Sequence, residues 1–378
     1  MAFIELDHQK LHHNFKYLDE FFSKRNIHWG AVSKLLCGNE TYIRELIEMG
    51  IREVHDSRIS NLKVIKKINP EVQTVYIKPP ARRVVKSLVR YADVSFNTEY
   101  ETIRLISEEA VKQNKKHKII IMIEMGDLRE GVLGDNLIDF YSSIFKLPNI
   151  EIVGIGTNLN CLNGVMPSHD KLIQLSLYKQ LIDATFKVKI PWVSGGSSVT
   201  IPLLLKKMLP KGINHFRVGE TLYFGNNLVT NKTIKGMKSN AFTLYAEIVE
   251  LMEKPIVPIG ELGTNVAGEK FEVNEADYGK SSYRALLDIG LLDVDPHHLK
   301  PIKNGIEIIG ASSDMLAVDL GKNRSGYQVG DLLAFNLDYM GALKVLNSNY
   351  IDKRITNKPT KTKSGLLPAE DGYNVLNF

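Results

Sequence analysis

The sequence predicts a (β/α)8 TIM-type barrel over residues 1–235, followed by a mainly β C-terminal domain over 236–378. Two observations carry this prediction. Eight short apolar runs alternate with segments of helical periodicity between residues 28 and 217, the pattern of a parallel sheet closed by crossover helices. After residue 235 the helical period stops. Short β-prone runs separated by Gly, Asp, Asn and Pro take its place. A doubly wound open sheet is the alternative for the first part. At 378 residues the chain exceeds the usual size of a single core.

Residues 2–6 form a short strand candidate. Asp7 is a suitable N-cap for a helix over 8–24, where Leu11, Phe15, Leu18 and Phe22 recur at helical spacing. The barrel strands are expected at 28–33, 51–55, 73–77, 93–96, 117–124, 151–156, 190–194 and 213–217. Helical segments lie near 39–49, 58–68, 82–91, 98–113, 135–146, 167–186 and 199–208, with a short extra helix over 219–226. In the second domain, Phe242 to Met252 and the runs 284–289, 306–310, 315–320 and 332–335 read as strands. From Thr356 the chain is polar and aperiodic, an extended arm.

Composition excludes several classes. The net charge of +5 comes from interspersed charges. The one dense basic run, 112–118, has no interleaved aromatics, which argues against nucleic-acid binding. Two cysteines, Cys37 and Cys161, make no disulfide framework and fit a reducing compartment. The N-terminus carries acids where a signal peptide needs a basic region, and the aliphatic run Ile119–Ile123 is too short to span a bilayer. A cytoplasmic protein without membrane contact is expected.

Barrels of this type place their chemistry at the C-terminal ends of the strands. Those ends offer Lys34 after strand one; Glu124, Asp127 and Arg129 after strand five; Thr157, Asn158 and Asn160 after strand six; Ser194-Gly195-Gly196-Ser197-Ser198 after strand seven; and Arg217-Val218-Gly219-Glu220 after strand eight. A lysine at the tip of a buried strand is expected to lose water, which disfavours its ammonium form and makes the amine nucleophilic. The loops after strands seven and eight expose bare amides and hydroxyls, a recurrent phosphate cradle. A phosphate opposite a strand-one lysine is the layout for pyridoxal 5'-phosphate (PLP).

On these residues the chain resembles the alanine racemase family, and within it the ornithine/lysine racemase-like branch. Ala31-Val32-Ser33-Lys34 is similar to the family's cofactor-lysine motif. The segment Glu124 to Gly131 resembles the one whose arginine contacts the substrate carboxylate, which gives that role to Arg129. Many alanine racemases brace this arginine with a carbamylated lysine, and here Glu124 is expected to replace it. Gly154 to Asn158 resembles the segment whose histidine lies against the cofactor ring, with Asn158 in its place. Ser197 and Ser198 match the phosphate-binding serine position. Phe216 to Gly225 resembles the motif that directs an arginine at the pyridine nitrogen, so Arg217 takes the ring and Gly219 and Glu220 the phosphate. Tyr350, in the closing-strand motif, is expected at the phosphate.

The main departure is Leu291, where alanine racemases carry the tyrosine that a partner subunit donates as second acid/base. Asp293, Asp314 and Tyr283 are the candidates for that role. The resemblance implies a PLP-dependent isomerase, an amino-acid racemase, working as a homodimer with shared active sites on ornithine- or lysine-like amino acids. The alternatives are a decarboxylase or aldolase-like reaction on the same scaffold, a phosphate-metabolite isomerase on a barrel without PLP, or a PLP-binding homeostasis protein. An aldolase-type metal pair has only Pro296-His297-His298 as local material, and no metal is expected.

Overall fold

The computed structural model describes residues 2–264, 268 and 270–359. The tail that the sequence marks as an arm lies, from residue 360, outside the described residues.

Eight staves form the barrel: strand one His28–Val32, two Glu53–Asp56, three Gln73–Tyr76, four Val94–Asn97, five His117–Met122, six Ile150–Gly156, seven Trp192–Ser194 with Gly196–Ser197, and eight His215–Val218. All pairings are parallel. Trp192–Ser194 pairs with strand six and Gly196–Ser197 with strand eight, so strand seven closes the ring across Gly195. The parallel barrel and an antiparallel second sheet are both present, and each barrel strand falls within two residues of its expected start.

The alternation has a plain cause. The strands are short and largely buried, some as apolar runs such as Ile119, Ile120 and Ile121, while Glu53–Asp56 is buried with polar side chains. Each helix buries one stripe. In His8–Ser23 the stripe is Leu11, Phe15, Leu18 and Phe22, and the Asp7 side chain accepts from the Lys10 amide at 3.0 Å as N-cap.

The second sheet is built around the long strand Phe242–Pro255, paired antiparallel with Ser281–Leu287 and Leu332–Leu337. The first strand, Phe3–Asp7, belongs to this sheet rather than to the barrel. It pairs with Phe242–Tyr245 and, in parallel, with Asp352–Thr356. The chain thus ties its start to its C-terminal strand before entering the barrel. Sequence periodicity missed the helix Tyr339–Asn347. Its signals are the Asp338 N-cap, which accepts from the Gly341 amide at 2.8 Å, and the buried Ala342, Val345 and Leu346.

The barrel interior is divided. Val75, Val94, Phe96, Ile120, Met122 and Val153 fill one part with apolar side chains. The N-terminal end of the rest is polar. Glu53, with 1% of its surface exposed, accepts from His55 Nε2 at 2.6 Å and from His28 and His215 Nε2, each at 2.9 Å. Gln73 also donates to it. Strand one passes this plug at Gly30, where a Cβ would sit 2.4 Å from His55 and 2.7 Å from the Glu53 carboxylate. Only glycine leaves room for it.

Although burial pushes the other way, His215 and His55 hold the Glu53 carboxyl well below the usual carboxylate range. Burial pushes His215 and His117 down to about 4 and lowers His55 too. In the unfolded chain these histidines take up a proton near pH 6.5 that the fold refuses. Their stabilisation is complete above pH 6.5 and is lost as pH falls towards 4. His28, drawn upward by its bond to Glu53, partly offsets this. Thermal unfolding from pH 7.5 to 4.5 should show a midpoint that falls steadily below pH 6.5; a midpoint level to pH 4.5 contradicts the assignment.

Candidate active site

The C-terminal ends of the barrel strands surround a cavity of about 630 Å³. Lys34, Arg129, Asn158, Ser197, Ser198, Arg217, Gly219 and Glu220, all expected from the sequence, line it. Glu130, Cys161, Lys78 and Tyr339 line it as well.

Lys34 begins a single turn, Lys34–Leu36, immediately after strand one. Ser33 fixes this turn. It is fully buried and donates to Asp56 Oδ2 at 2.7 Å. Tyr223 donates to the Val32 carbonyl at 3.0 Å. The expected desolvation of Lys34 is not found, because the side chain is exposed at the cavity mouth. The buried strand ends one residue too early to cover it.

Arg217 is the opposite case, 6% exposed and aimed into the cavity from strand eight. It donates to the Ser194 carbonyl at 2.7 Å, to Ser194 Oγ at 2.6 Å and to the Thr157 carbonyl at 2.7 Å, and reaches Asn158 Oδ1 at 3.3 Å. The Phe96 ring lies beneath it at 5.3 Å. Among the described residues, no carboxylate pairs with it directly. Burial pushes it down to about 10, which still leaves it a cation at neutral pH. Ser194 Oγ in turn lies 2.6 Å from His215 Nδ1, so a continuous polar line runs from Glu53 through His215 and Ser194 to Arg217.

Arg129 is braced by Glu130, which accepts from its Nε and Nη2 and also from Asn158 Nδ2 at 2.7 Å. This corrects the expectation for Glu124, whose carboxylate instead accepts the backbone amides of Gly126 and Leu128. Spacing along the strand does not tell which carboxylate turns inward: Glu124 closes the loop and Glu130, beyond it, returns to the cavity. Asn158 therefore links the two arginines, receiving from Arg217 and donating to Glu130.

The loops after strands five and six are stapled by Asp127, which is 1% exposed. Its carboxylate accepts the amides of Leu162 at 2.8 Å, Val165 at 3.0 Å, Cys161 at 3.2 Å and Asn163 at 3.3 Å. Burial opposes ionisation, but these four donors hold the carboxyl below its usual range. Each loop also holds a non-glycine residue in the left-handed region, Leu128 (φ 52°) and Asn160 (φ 54°), next to Arg129 and Cys161 respectively. Arg129 donates to Cys161 Sγ across the staple.

At the other end, the capping pair Ser197 and Thr200 shapes the strand-seven loop, and Ser198 Oγ accepts the Thr221 amide at 3.2 Å. Gly219 lets the strand-eight turn approach strand one: a Cβ would meet Val32 at 3.1 Å. Glu220 is turned aside by Asn226, which donates to it at 3.2 Å.

Several expected residues do not line this cavity. Tyr350 is 82% exposed beyond the helix Tyr339–Asn347; Tyr339, at that helix's first turn, lines the cavity instead. Asp293 accepts from Ser348 at 3.0 Å, and Asp314 accepts from Ser312 at 3.3 Å on an exposed turn. Tyr283 lies in the middle of the second sheet. His297 and His298 pair with Asp295 and Asp338 on the surface.

A parallel barrel with a mouth-facing lysine, a buried arginine and a hydroxyl-and-amide cradle, followed by a β domain, defines one class of protein. Residues 6–227 match the family model for the alanine racemase N-terminal domain. The chain is 38% identical to ornithine racemase of Acetoanaerobium sticklandii over 93% of its length and 99% of that protein. It is 30% identical to lysine racemase of Thermotoga maritima, covering 91% and 96%. Its fold matches the crystal structure of alanine racemase from Bartonella henselae with covalently bound pyridoxal phosphate, with a TM-score of 0.70 at 18% identity over 94% and 99% of the two chains. The chain belongs to the alanine racemase family. Among the described residues, no helix is long and apolar enough to cross a membrane.

Removing the staple should free the strand-six loop. Asp127→Ala is expected to speed hydrogen exchange at the Cys161–Val165 amides by about tenfold or more, since bonds to a charged acceptor contribute roughly 1.5–3 kcal/mol each. Unchanged exchange in that segment contradicts the role.

Proposed function

We propose that this protein is a PLP-dependent amino-acid racemase acting on ornithine- or lysine-like amino acids. The observation that carries the reading is the convergence of Lys34, Arg217, Arg129 and the Ser197–Ser198/Gly219 cradle on one cavity. The donor set fits the cofactor. One end offers hydroxyls and amides to a phosphate, while the acidic Glu220 is held aside by Asn226. The middle offers a buried guanidinium to a ring nitrogen, and the wall a lysine to an aldehyde. Thr157 Oγ1, buried beside the Arg217 contacts and without a partner among the described residues, leaves one donor there unspent. When bound, PLP withdraws electrons from an attached amino acid and so acidifies its Cα–H.

The protein's own groups supply the rest. Arg217 donates hydrogen bonds and keeps its own protons at neutral pH, so a ring nitrogen facing it stays unprotonated. That limits electron withdrawal and favours return of the proton to Cα over other outcomes. Arg129, held flat by Glu130, presents its guanidinium to the substrate carboxylate. Lys34, exposed at the mouth, carries protons on one face of Cα. The cofactor-holding set is Lys34, Asn158, Ser197, Ser198, Arg217, Gly219 and Glu220, with Tyr339 in the place expected for Tyr350. A homodimer, in which the β domain of one copy covers the mouth of the other, completes the proposal; Asp293 and Asp314 enter a cavity only by that route. A cytoplasmic location fits the cysteine usage.

The test is Cα proton exchange in heavy water with ornithine, lysine, arginine, alanine and serine. Inversion with deuterium gain on a diamino acid is expected. Release of carbon dioxide or an aldehyde without inversion contradicts the racemase reading. Glu130→Gln weakens the brace on Arg129, so KM for the amino acid should rise about tenfold, the effect of a charge-assisted bond of ~1.4 kcal/mol. The visible absorbance of the bound cofactor should not change. An unaltered KM contradicts the role of Glu130.

A further inference from the structure

Racemisation needs a proton carrier on each face of Cα, and Leu291 stands where the family's second carrier is expected. The cavity itself narrows the choice. Arg129 and Arg217 hold their protons. Glu130 is committed to Arg129 and Asn158, and Glu220 to Asn226. Burial raises the Tyr339 hydroxyl above its ordinary value, away from neutrality. Lys78 turns towards the Tyr76 ring, 6.0 Å from its centre. Cys161 remains.

We propose that Cys161 is the second acid/base of the reaction, acting from the same chain as Lys34 and on the opposite face of Cα. The proposal rests on the racemase reading above. Its basis is position. Cys161 follows strand six, three staves round the ring from strand one, and lines the same cavity as Lys34. Its sulfur accepts a hydrogen bond from Arg129, the group assigned to the substrate carboxylate. A carboxylate bound there brings Cα, one bond away, next to the sulfur. The sulfur's place is fixed rather than incidental: the Cys161 amide is bound to buried Asp127, whose own loop carries Arg129. One staple therefore sets the carboxylate clamp and the thiol in register.

Protons balance without a further reactant. In one direction the Lys34 amine takes the Cα proton and the Cys161 S–H delivers its own to the other face, leaving an ammonium and a thiolate. In the other direction the thiolate takes the proton and the ammonium returns one. Both side chains are exposed, so water restores the starting protonation between turnovers in the same direction.

The proposal is tested with cofactor-loaded wild-type protein and the variants Cys161→Ala and Cys161→Ser, in heavy water, on each enantiomer separately. Loss of one carrier should lower racemisation by about a hundredfold or more. The enantiomer whose Cα proton faces Lys34 should still exchange deuterium with retained configuration, while exchange of the other enantiomer is lost. A structural role does not produce that one-sided pattern. Iodoacetamide labelling of the protein freed of cofactor gives a separate readout. Cys161 should be labelled at neutral pH in preference to Cys37, which burial pushes up to about 11, and labelling should slow in the cofactor-loaded protein with substrate present. Racemisation within threefold of wild type in Cys161→Ala overturns the proposal, as does equal loss of exchange from both enantiomers with cofactor absorbance retained. Failure to protect Cys161 from labelling also overturns it. A wild-type protein that exchanges no Cα proton on any amino acid overturns the racemase reading together with this one, whereas the variant outcomes bear on Cys161 alone.

Discussion

The structure depends on a buried polar line through one side of the barrel. Glu53 at the bottom gathers four N–H donors, His215 passes the line to Ser194, and Ser194 receives Arg217 at the floor of the cavity. Burying an arginine is costly unless its donors are met. Here two carbonyls, a hydroxyl and an amide oxygen meet them, and a phenylalanine ring supports the plane. Glu53 lies below this floor, at the N-terminal end of the barrel, and Glu130 on the cavity wall is the carboxylate whose charge favours the Arg217 cation. The same line explains Gly30, since any side chain there would displace His55 and Glu53.

Above that floor, the site is organised by a second buried carboxylate. Asp127 joins the loops of strands five and six, and Glu130 and Asn158 join the two arginines. The guanidinium groups of Arg129 and Arg217 and the Cys161 thiol are thereby held by one connected set of bonds. Leu128 and Asn160, both in the left-handed region, mark where the backbone is bent to make these contacts, a cost of order 1 kcal/mol each that the surrounding bonds offset. Lys34 is the exception, an exposed amine on a short turn, held at its root by Ser33 and Asp56. Placement at the cavity mouth, rather than burial in the barrel, makes it available.

Much of this was legible in the sequence because it is local. The βα alternation, the strand ends, the lysine, and the glycine- and serine-rich turns all follow from short-range periodicity and turn chemistry, and the motifs fall in the order that marks the alanine racemase family. What was not legible depends on which way a side chain turns after a loop. Glu124 and Glu130 flank the same loop, and only the folded backbone shows that the first binds amides and the second binds Arg129. Tyr339 opens a helix that Asp338 caps and whose buried stripe, Ala342, Val345 and Leu346, is too short to show as a period; once the helix is placed, Tyr339 falls at the cavity and Tyr350 at the surface. The polar plug was hidden for another reason. His28, Glu53 and His215 lie far apart in sequence and meet only because each is the first residue of a neighbouring or nearby stave.

In the proposed function the strand-one lysine, Lys34, bonds the cofactor, and Lys78 on the same cavity does not. Borohydride reduction of the cofactor-loaded protein, followed by peptide mapping by mass spectrometry, tests this directly. A pyridoxyl group is expected on the peptide containing Lys34 and none on the peptide containing Lys78. Modification of Lys78, or of no cavity lysine, contradicts it.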